Sequence, residues 1–167
     1  AGTLTVKQRP VTVTAETKSF PYDGFDHTVG YQVSENTVDA GLVAGHKEHV
    51  VLSGETRFNP GGNDVLVESV SILDGDIDVT GNYLITPENG RIDITKATGN
   101  KLVITAPSVE KVYDGTPLSD IVCQVQGTLF NGDTVYVNAT GSITNVSETS
   151  VGNNPVGTVT VKHGEVD

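Results

Sequence analysis

Apolar and polar residues alternate along short stretches of this chain, with the two-residue period of a strand and not the 3.6-residue period of a helix. The alternation is cleanest in Arg91-Ile92-Asp93-Ile94-Thr95 and in Thr158-Val159-Thr160-Val161-Lys162. Each predicts a strand with one buried and one wet face. Val11-Thr12-Val13-Thr14, Leu102-Val103-Ile104-Thr105, residues 65–72 and residues 157–161 are rich in β-branched side chains and bounded by Pro or Gly, and they predict further strands. No capped amphipathic segment of helical period occurs, and 19 glycines among 167 residues interrupt every candidate.

The pattern is written twice. Residues 10–24 (PVTVTAETKSFPYDG) and 101–115 (KLVITAPSVEKVYDG) lie 91 positions apart and both end in Tyr-Asp-Gly. The correspondence continues: Tyr31-Gln32-Val33 answers Cys123-Gln124-Val125, 92 positions on. Leu42-Val43-Ala44-Gly45-His46 answers Leu129-Phe130-Asn131-Gly132-Asp133, and Gly54 answers Gly141, both at 87. Gly75-Asp76-Ile77-Asp78 answers Gly164-Glu165-Val166-Asp167 at 89. Separations that drift by a few residues mark insertions in loops between fixed elements. A period near 90 residues suits a small domain repeated in tandem and is too long for a solenoid turn.

Gly90-Arg91-Ile92-Asp93-Ile94-Thr95-Lys96 closes the first unit, and Gly2-Thr3-Leu4-Thr5-Val6-Lys7 has the same form. The expected organisation is therefore residues 1–8 as the last strand of a preceding repeat, 9–97 as the first complete unit, and 98–167 as a second unit truncated at its C-terminal end. Residues 97–100 form a short connector. The expected fold is all-β, with two tandem Ig-like β-sandwich units of six to eight short strands each, the second lacking its last strand. The alternative is a β-grasp-like unit with one helix. A missing strand predicts an open sheet edge, which residues 2–7 of another molecule can fill by strand exchange.

Composition narrows the partners. Ten Lys and Arg against 21 Asp and Glu give a formal charge of −11 without basic clusters, which argues against nucleic acid and anionic membrane surfaces. No apolar run approaches the length of a membrane-spanning helix. Cys123 stands alone, so no disulfide forms within the chain, and its strand position reads as a small buried hydrophobe.

Candidate chemistry is sparse. In Tyr22-Asp23-Gly24 and Tyr113-Asp114-Gly115 the Asp-Gly pair suits a tight turn, while the ring buries one face and keeps its hydroxyl at a polar boundary. Asp74, Asp76 and Asp78 begin like an EF-hand loop, but Val79 and Ile85 occupy the positions of the required Gly and Glu. A hydrated acidic turn is the leading reading and a Ca²⁺ loop the alternative; no other cofactor is expected. His46 and His49 are three apart on a strand, hence on opposite faces. Lys7, Lys18, Lys101 and Lys111, with Asn63, Asn82 and Asn138, supply the partners for an internal isopeptide bond, a reaction that needs a dry core. No nucleophile elbow, zincin helix or phosphate-binding loop occurs, and five Tyr and four Phe with no Trp offer little to stack a sugar. The chain is not expected to be an enzyme.

The order of these motifs resembles the YDG and MBG-type repeats of bacterial surface proteins. The features that carry it are Tyr-Asp-Gly after an apolar strand, the turns ending in Gly45-His46 and Gly132-Asp133, the stretch Asp78-Val79-Thr80-Gly81-Asn82-Tyr83-Leu84-Ile85-Thr86, and a closing Gly-x-Ile-x-Ile strand. The resemblance spans almost the whole chain. It implies an extracellular segment of a Gram-positive or gut bacterium, secreted or attached to the cell wall, acting as a non-catalytic stalk or spacer in an adhesin-like protein. Its partners are then the neighbouring repeats. The alternative is an adhesive module that binds host glycan or protein through loops 57–63 and 144–154, which differ between the units.

Overall fold

The structure, a computed structural model, describes residues 1–99 and 101–165. The chain divides into two compact units, Ala1–Lys96 and Ala97–Asp167. Strand accounts for 46% of the chain and helix for 4%, so the fold is all-β. The only helical pieces among the described residues are two three-residue 3₁₀ turns, so the β-grasp alternative lacks its helix. Asn100 of the expected connector, and Val166 and Asp167 of the match to residues 75–78, lie outside the described residues.

Unit 1 contains ten strands: β1 (Arg9–Ala15), β2 (Thr17–Pro21), β3 (His27–Thr28), β4 (Tyr31–Val33), β5 (His46–Ser53), β6 (Thr56–Arg57), β7 (Gly61–Asp74), β8 (Ile77–Asp78), β9 (Tyr83–Glu88) and β10 (Gly90–Thr95). One sheet has the order β4-β1-β9, a second the order β2-β10-β7-β5 with β8 folded back on β7, and β3 pairs β6. Residues 1–8, expected as a strand, belong to no element, because a strand needs a paired neighbour and nothing pairs with them here.

The first and last segments of the unit run side by side. β1 pairs with β9 in parallel, and β2 with β10 in parallel, with one constant separation of 74 positions: Arg9 lies opposite Tyr83, Thr14 opposite Glu88, Thr17 opposite Arg91 and Pro21 opposite Thr95. Both segments leave the first sheet and enter the second at the same level. The Glu16 carbonyl accepts the Arg91 N–H there at 3.3 Å. A Cβ on Gly90 would stand 2.3 Å from the Glu16 carbonyl oxygen and 2.5 Å from that of Ala15, so only glycine lets the backbones touch at the crossing.

Alternation fills the space between the sheets. Val11, Val13 and Ala15 point inward from β1, Ile92 and Ile94 from β10, Val65 and Ile72 from β7, and Tyr83 from β9, all buried. They form two contiguous clusters, Ala15 with Val29, Val65 and Ile92, and Val11 with Ile72 and Tyr83. Each buried Val or Ile contributes about 1.5–3 kcal/mol relative to exposure. The last segment supplies three of these side chains.

Unit 2 contains β11 (Val103–Thr105), β12 (Gln124–Gln126), β13 (Asp133–Tyr136) and β14 (Thr160–His163). Its pairings repeat those of unit 1 in register. Ile104 faces Val125 as Val13 faces Val33. Val135 faces Val161 as Glu48 faces Ile72, and the bridge between Ala139 and Val156 matches Leu52 with Val67 beyond the same irregularity. Among the described residues of unit 2, no pairing of the kind made by β9 and β10 occurs.

Cover is lost in consequence. Ala139 is the one buried apolar residue among the described part of unit 2, and Val161 is 41% exposed where its counterpart Ile72 is 0%. The expectation of one buried face for residues 158–162 therefore fails: Val159 and Val161 are both exposed, and strand begins only at Thr160. β11 pairs only with β12 among the described strands. Cys123 is half-buried and not buried, as is Tyr31 at the aligned position.

The asymmetry gives a stability test. Ile72→Ala should destabilise unit 1 by about 2–5 kcal/mol, whereas Val161→Ala at the equivalent position should cost less than about 1 kcal/mol. Urea denaturation of the two variants checks the difference.

Candidate functional site

The two Tyr-Asp-Gly turns are built alike. Asp23 Oδ1 accepts the Phe25 N–H at 3.0 Å, and Asp114 Oδ1 accepts the Thr116 N–H at 2.9 Å. Gly24 and Gly115 follow with φ of 83° and 78°, the left-handed conformation that closes the turn and that a Cβ disfavours. Each carboxylate then takes a different side-chain partner. Asp23 lies 3.0 Å from His27 Nε2, and Asp114 accepts Lys111 Nζ at 2.8 Å and the Thr116 hydroxyl at 2.7 Å.

These contacts set the acidities. The Lys111 bond, aided by the Thr116 hydroxyl and amide, holds the Asp114 carboxyl well below the usual carboxylate range. Burial pulls Asp23 upward, but the His27 and Phe25 hydrogen bonds together outweigh it, and the net shift is downward. Both carboxylates are thus engaged in shaping backbone.

The tyrosines differ. Tyr22 is half-buried, donates its N–H to the Thr95 carbonyl at 2.9 Å, and meets the Phe58 ring edge-on at 5.6 Å. Tyr113, expected to bury one face in the same way, is 59% exposed. Asn145 aligns with Phe58.

A second repeated turn carries an exchange of partners. His46 donates its N–H to the Val43 carbonyl and Asp133 donates to Phe130, each at 3.0 Å, after Gly45 and Gly132 with φ of 91° and 80°. Across the ladder His46 faces Asp74, while Asp133 faces His163. His46 Nε2 lies 3.8 Å from Asp74 Oδ2, and His163 Nδ1 lies 2.9 Å from Asp133 Oδ1. The two side chains have traded strands. In unit 1 the imidazole also lies 2.7 Å from the Tyr83 hydroxyl, which accepts the Val43 N–H at 3.1 Å.

The remaining candidates are spent separately. Asp74 faces His46, Asp76 lies in the hairpin between β7 and β8, and Asp78 accepts the Thr80 N–H at 2.9 Å; the Thr80 hydroxyl first, and then this amide, lower its pKa. No three His, Cys, Asp or Glu side chains among the described residues are grouped closely enough to hold a metal ion. Lys18 and Lys111 are paired with Glu16 and Asp114, each at 2.8 Å, and no Lys or Asn among the described residues is buried, so the dry site for an isopeptide reaction is not formed there. His46 and His49 alternate in exposure along β5 and do not meet.

Two loops are closed by arginines. Arg57 bonds the Asn63 side chain and the Pro60 carbonyl within loop 57–63. Arg9 reaches into loop 34–41, bonding the carbonyls of Thr37, Ala40 and Gly41 at 2.6–2.7 Å and the Asn36 side chain at 2.8 Å. That loop is an insertion: residues 35–41 align with only Gly127 and Thr128, and Asn100 stands where unit 1 has Arg9. The role of Arg9 was missed in the sequence, although insertion and cation occur together in one unit only.

Unit 2 holds a cleft of about 590 Å³. One wall is residues 106–111 and the other residues 150–154. Asn154 fastens its floor, donating to the Pro107 and Asp120 carbonyls at 3.0 Å each and accepting the Gly141 N–H at 2.8 Å. Unit 1 has the buried Val65 at that position, so a polar staple replaces a core side chain. Glu148 ties the adjoining loop by accepting the Thr144 and Asn145 N–H groups at 2.7 Å, which depress its pKa.

Comparison with protein-family models, curated proteins and solved structures finds no match to this chain. No helix among the described residues is long and apolar enough to cross a membrane.

Asp114 makes a pH prediction. Its folded pKa lies below the unfolded value of about 3.9, so its contribution is complete above that pH and is lost as pH falls toward the folded value. Thermal melts should show unit 2 weakening below about pH 4, and Asp114→Asn should be less stable at neutral pH with a flatter acid limb.

Proposed function

We propose that this chain is two tandem Ig-like β-sandwich units of a bacterial cell-surface or secreted adhesin-like protein, and that they act as a non-catalytic spacer. The observation that carries the reading is the parallel ribbon of unit 1. The chain enters the ribbon at Arg9 and leaves it at Thr95, at opposite ends. A pull between these points loads the ladder hydrogen bonds in shear, together instead of one after another. Such a joint suits a segment that transmits tension between neighbouring repeats.

Other features support the same reading. The two Asp-Gly turns, the Gly45 and Gly132 turns and the strand registers recur, so what the units share is scaffold. Their carboxylates accept backbone amides, and that of Asp114 also holds Lys111. The likeness to YDG and MBG-type repeats rests on the order of motifs and brings the extracellular location with it.

Single-molecule stretching of the full chain tests the spacer. Unit 1 should unfold at higher force than unit 2, and Gly90→Ala, which drives a Cβ into the Glu16 carbonyl at the crossing, should lower the unit 1 force selectively. Equal, low forces for both units would remove the mechanical basis.

The cleft supports a second reading, adhesion, because part of loop 144–154 lines it. A screen against mucins and extracellular-matrix proteins discriminates. The adhesive reading expects saturable binding that disappears when loop 144–154 is exchanged for loop 57–63, and the spacer reading expects none.

A further inference from the structure

We propose that the peptide joining Asn131 to Gly132 is a site of self-modification, at which the side-chain amide is lost through a succinimide, while the fold protects the same pair of residues at Asn89 and Gly90. These are the two Asn-Gly pairs of the chain. In such a pair the glycine amide nitrogen attacks the asparagine Cγ. A C–N bond closes a five-membered ring, the bond from Cγ to the side-chain nitrogen breaks, and ammonia leaves with the proton of the glycine N–H. Water then opens the ring at either carbonyl, giving aspartate or isoaspartate. Ring closure needs the attacking peptide to rotate toward the side chain, and a following residue without Cβ permits that rotation.

Exposure does not separate the two pairs, since Asn89 and Asn131 are both exposed. Backbone freedom does. Asn131 and Gly132 are the central residues of the turn closed by the Asp133 N–H on the Phe130 carbonyl at 3.0 Å. Gly132 has a φ of 80° and no non-glycine among the described residues has a positive one, which makes the turn type II. Types I and II differ by a flip of the peptide between the two central residues, and the closing hydrogen bond survives it. The nucleophile is the nitrogen of that peptide. It can turn toward the Asn131 Cγ while the turn stays shut.

Asn89 and Gly90 lack this freedom. Asn89 Oδ1 accepts the Val67 N–H at 3.1 Å, so carrying Cγ to the Gly90 nitrogen breaks a hydrogen bond. Gly90 lies in β10 opposite Val65, and a Cβ on it would stand 2.3 Å and 2.5 Å from the Glu16 and Ala15 carbonyl oxygens. Rotation there drives backbone into backbone.

Position 131 is placed to matter. The Gly132 carbonyl accepts the Gly164 N–H at 3.0 Å, beside the first rung of β13 and β14, where Asp133 lies opposite His163. The His163 ring covers Gly132, with Cε1 2.6 Å from where a Cβ would stand. An isoaspartyl link adds a carbon to the backbone of this turn, shifts Gly132 against the ring and parts His163 from Asp133. The corresponding turn of unit 1 has Ala44 before Gly45 and has no amide to lose.

The chemistry is the same whether the protein is a spacer or an adhesin. Peptide mapping by mass spectrometry of the full chain, kept folded at neutral pH and body temperature, tests it. Replacement of NH₂ by OH at position 131 should run about tenfold or more faster than at position 89, the factor that loss of one hydrogen bond introduces. Methyl transfer from S-adenosylmethionine by an isoaspartyl-specific methyltransferase should label the peptide that contains position 131. In concentrated guanidinium chloride the two pairs should react at similar rates, which assigns the difference to the fold. Unit 2 of the aged wild type should melt earlier than in fresh protein, and Asn131→Gln aged alike should melt unchanged, since glutamine closes its larger ring slowly. Equal rates at the two positions in the folded chain, or an aged wild type whose unit 2 melts like fresh protein, overturns the proposal and leaves the stretching experiment unaffected.

Discussion

The parallel contact between the first and last segments of unit 1 is the constraint on which the rest of the structure depends. A single separation of 74 positions holds from Arg9 and Tyr83 to Pro21 and Thr95, through a change of sheet. That constancy requires both segments to cross together, and the crossing requires a residue without a side chain at Gly90. It also lets one segment contribute to both sheets, so Tyr83 and Ile92 serve different core clusters. The remaining ladders of unit 1 are antiparallel and join segments closer in sequence, and this long-range contact closes the core over them.

Among the described residues of unit 2 no parallel contact of this kind occurs. Its antiparallel pairings keep the registers of unit 1. Its apolar side chains lose their cover, and polar devices take over some of the work. Asn154 links three stretches of backbone where unit 1 has Val65, and Lys111 gathers the Asp114 carboxylate and the Thr116 carbonyl where unit 1 has Phe20 stacked on His27. Hydrogen bonds can fasten a surface loop in this way. They cannot replace the transfer of apolar area from water, so Val161 stays exposed.

Much of the β architecture was legible in the sequence, and the reasons are local. Alternation marked β10 because its faces differ in environment, a β-branched run marked β1, and Asp-Gly marked the turns because glycine's positive φ and the short carboxylate are a chemical requirement of the turn. What was not legible is non-local. Alternation in residues 158–162 equals that in residues 91–95, yet only the latter has a neighbour to bury against. The three aspartates of the β7–β8 hairpin look like a ligand set in one dimension, but the ladder sets Asp74 opposite Ile77 and Asp78 opposite Leu73. The Arg9 clamp joins residues about thirty positions apart, and no local rule announces it.

The exchanged His and Asp pairs carry the argument for internal repetition further than motif matching does. Matching alone aligns His46 with Asp133 at a separation of 87, and residues near 75 with those near 164 at 89, as two unrelated observations. The ladders join them: His46 faces Asp74, and Asp133 faces His163. Had the alignment been accidental, the two positions would have no reason to be opposite one another in both units, still less to hold the same two side chains in reverse order. A cross-strand pair is favourable with its members on either strand, since its energy depends on their proximity and complementary chemistry. What the two units hold in common at this place is therefore a pairing, and a comparison made one residue at a time scores it as two mismatches.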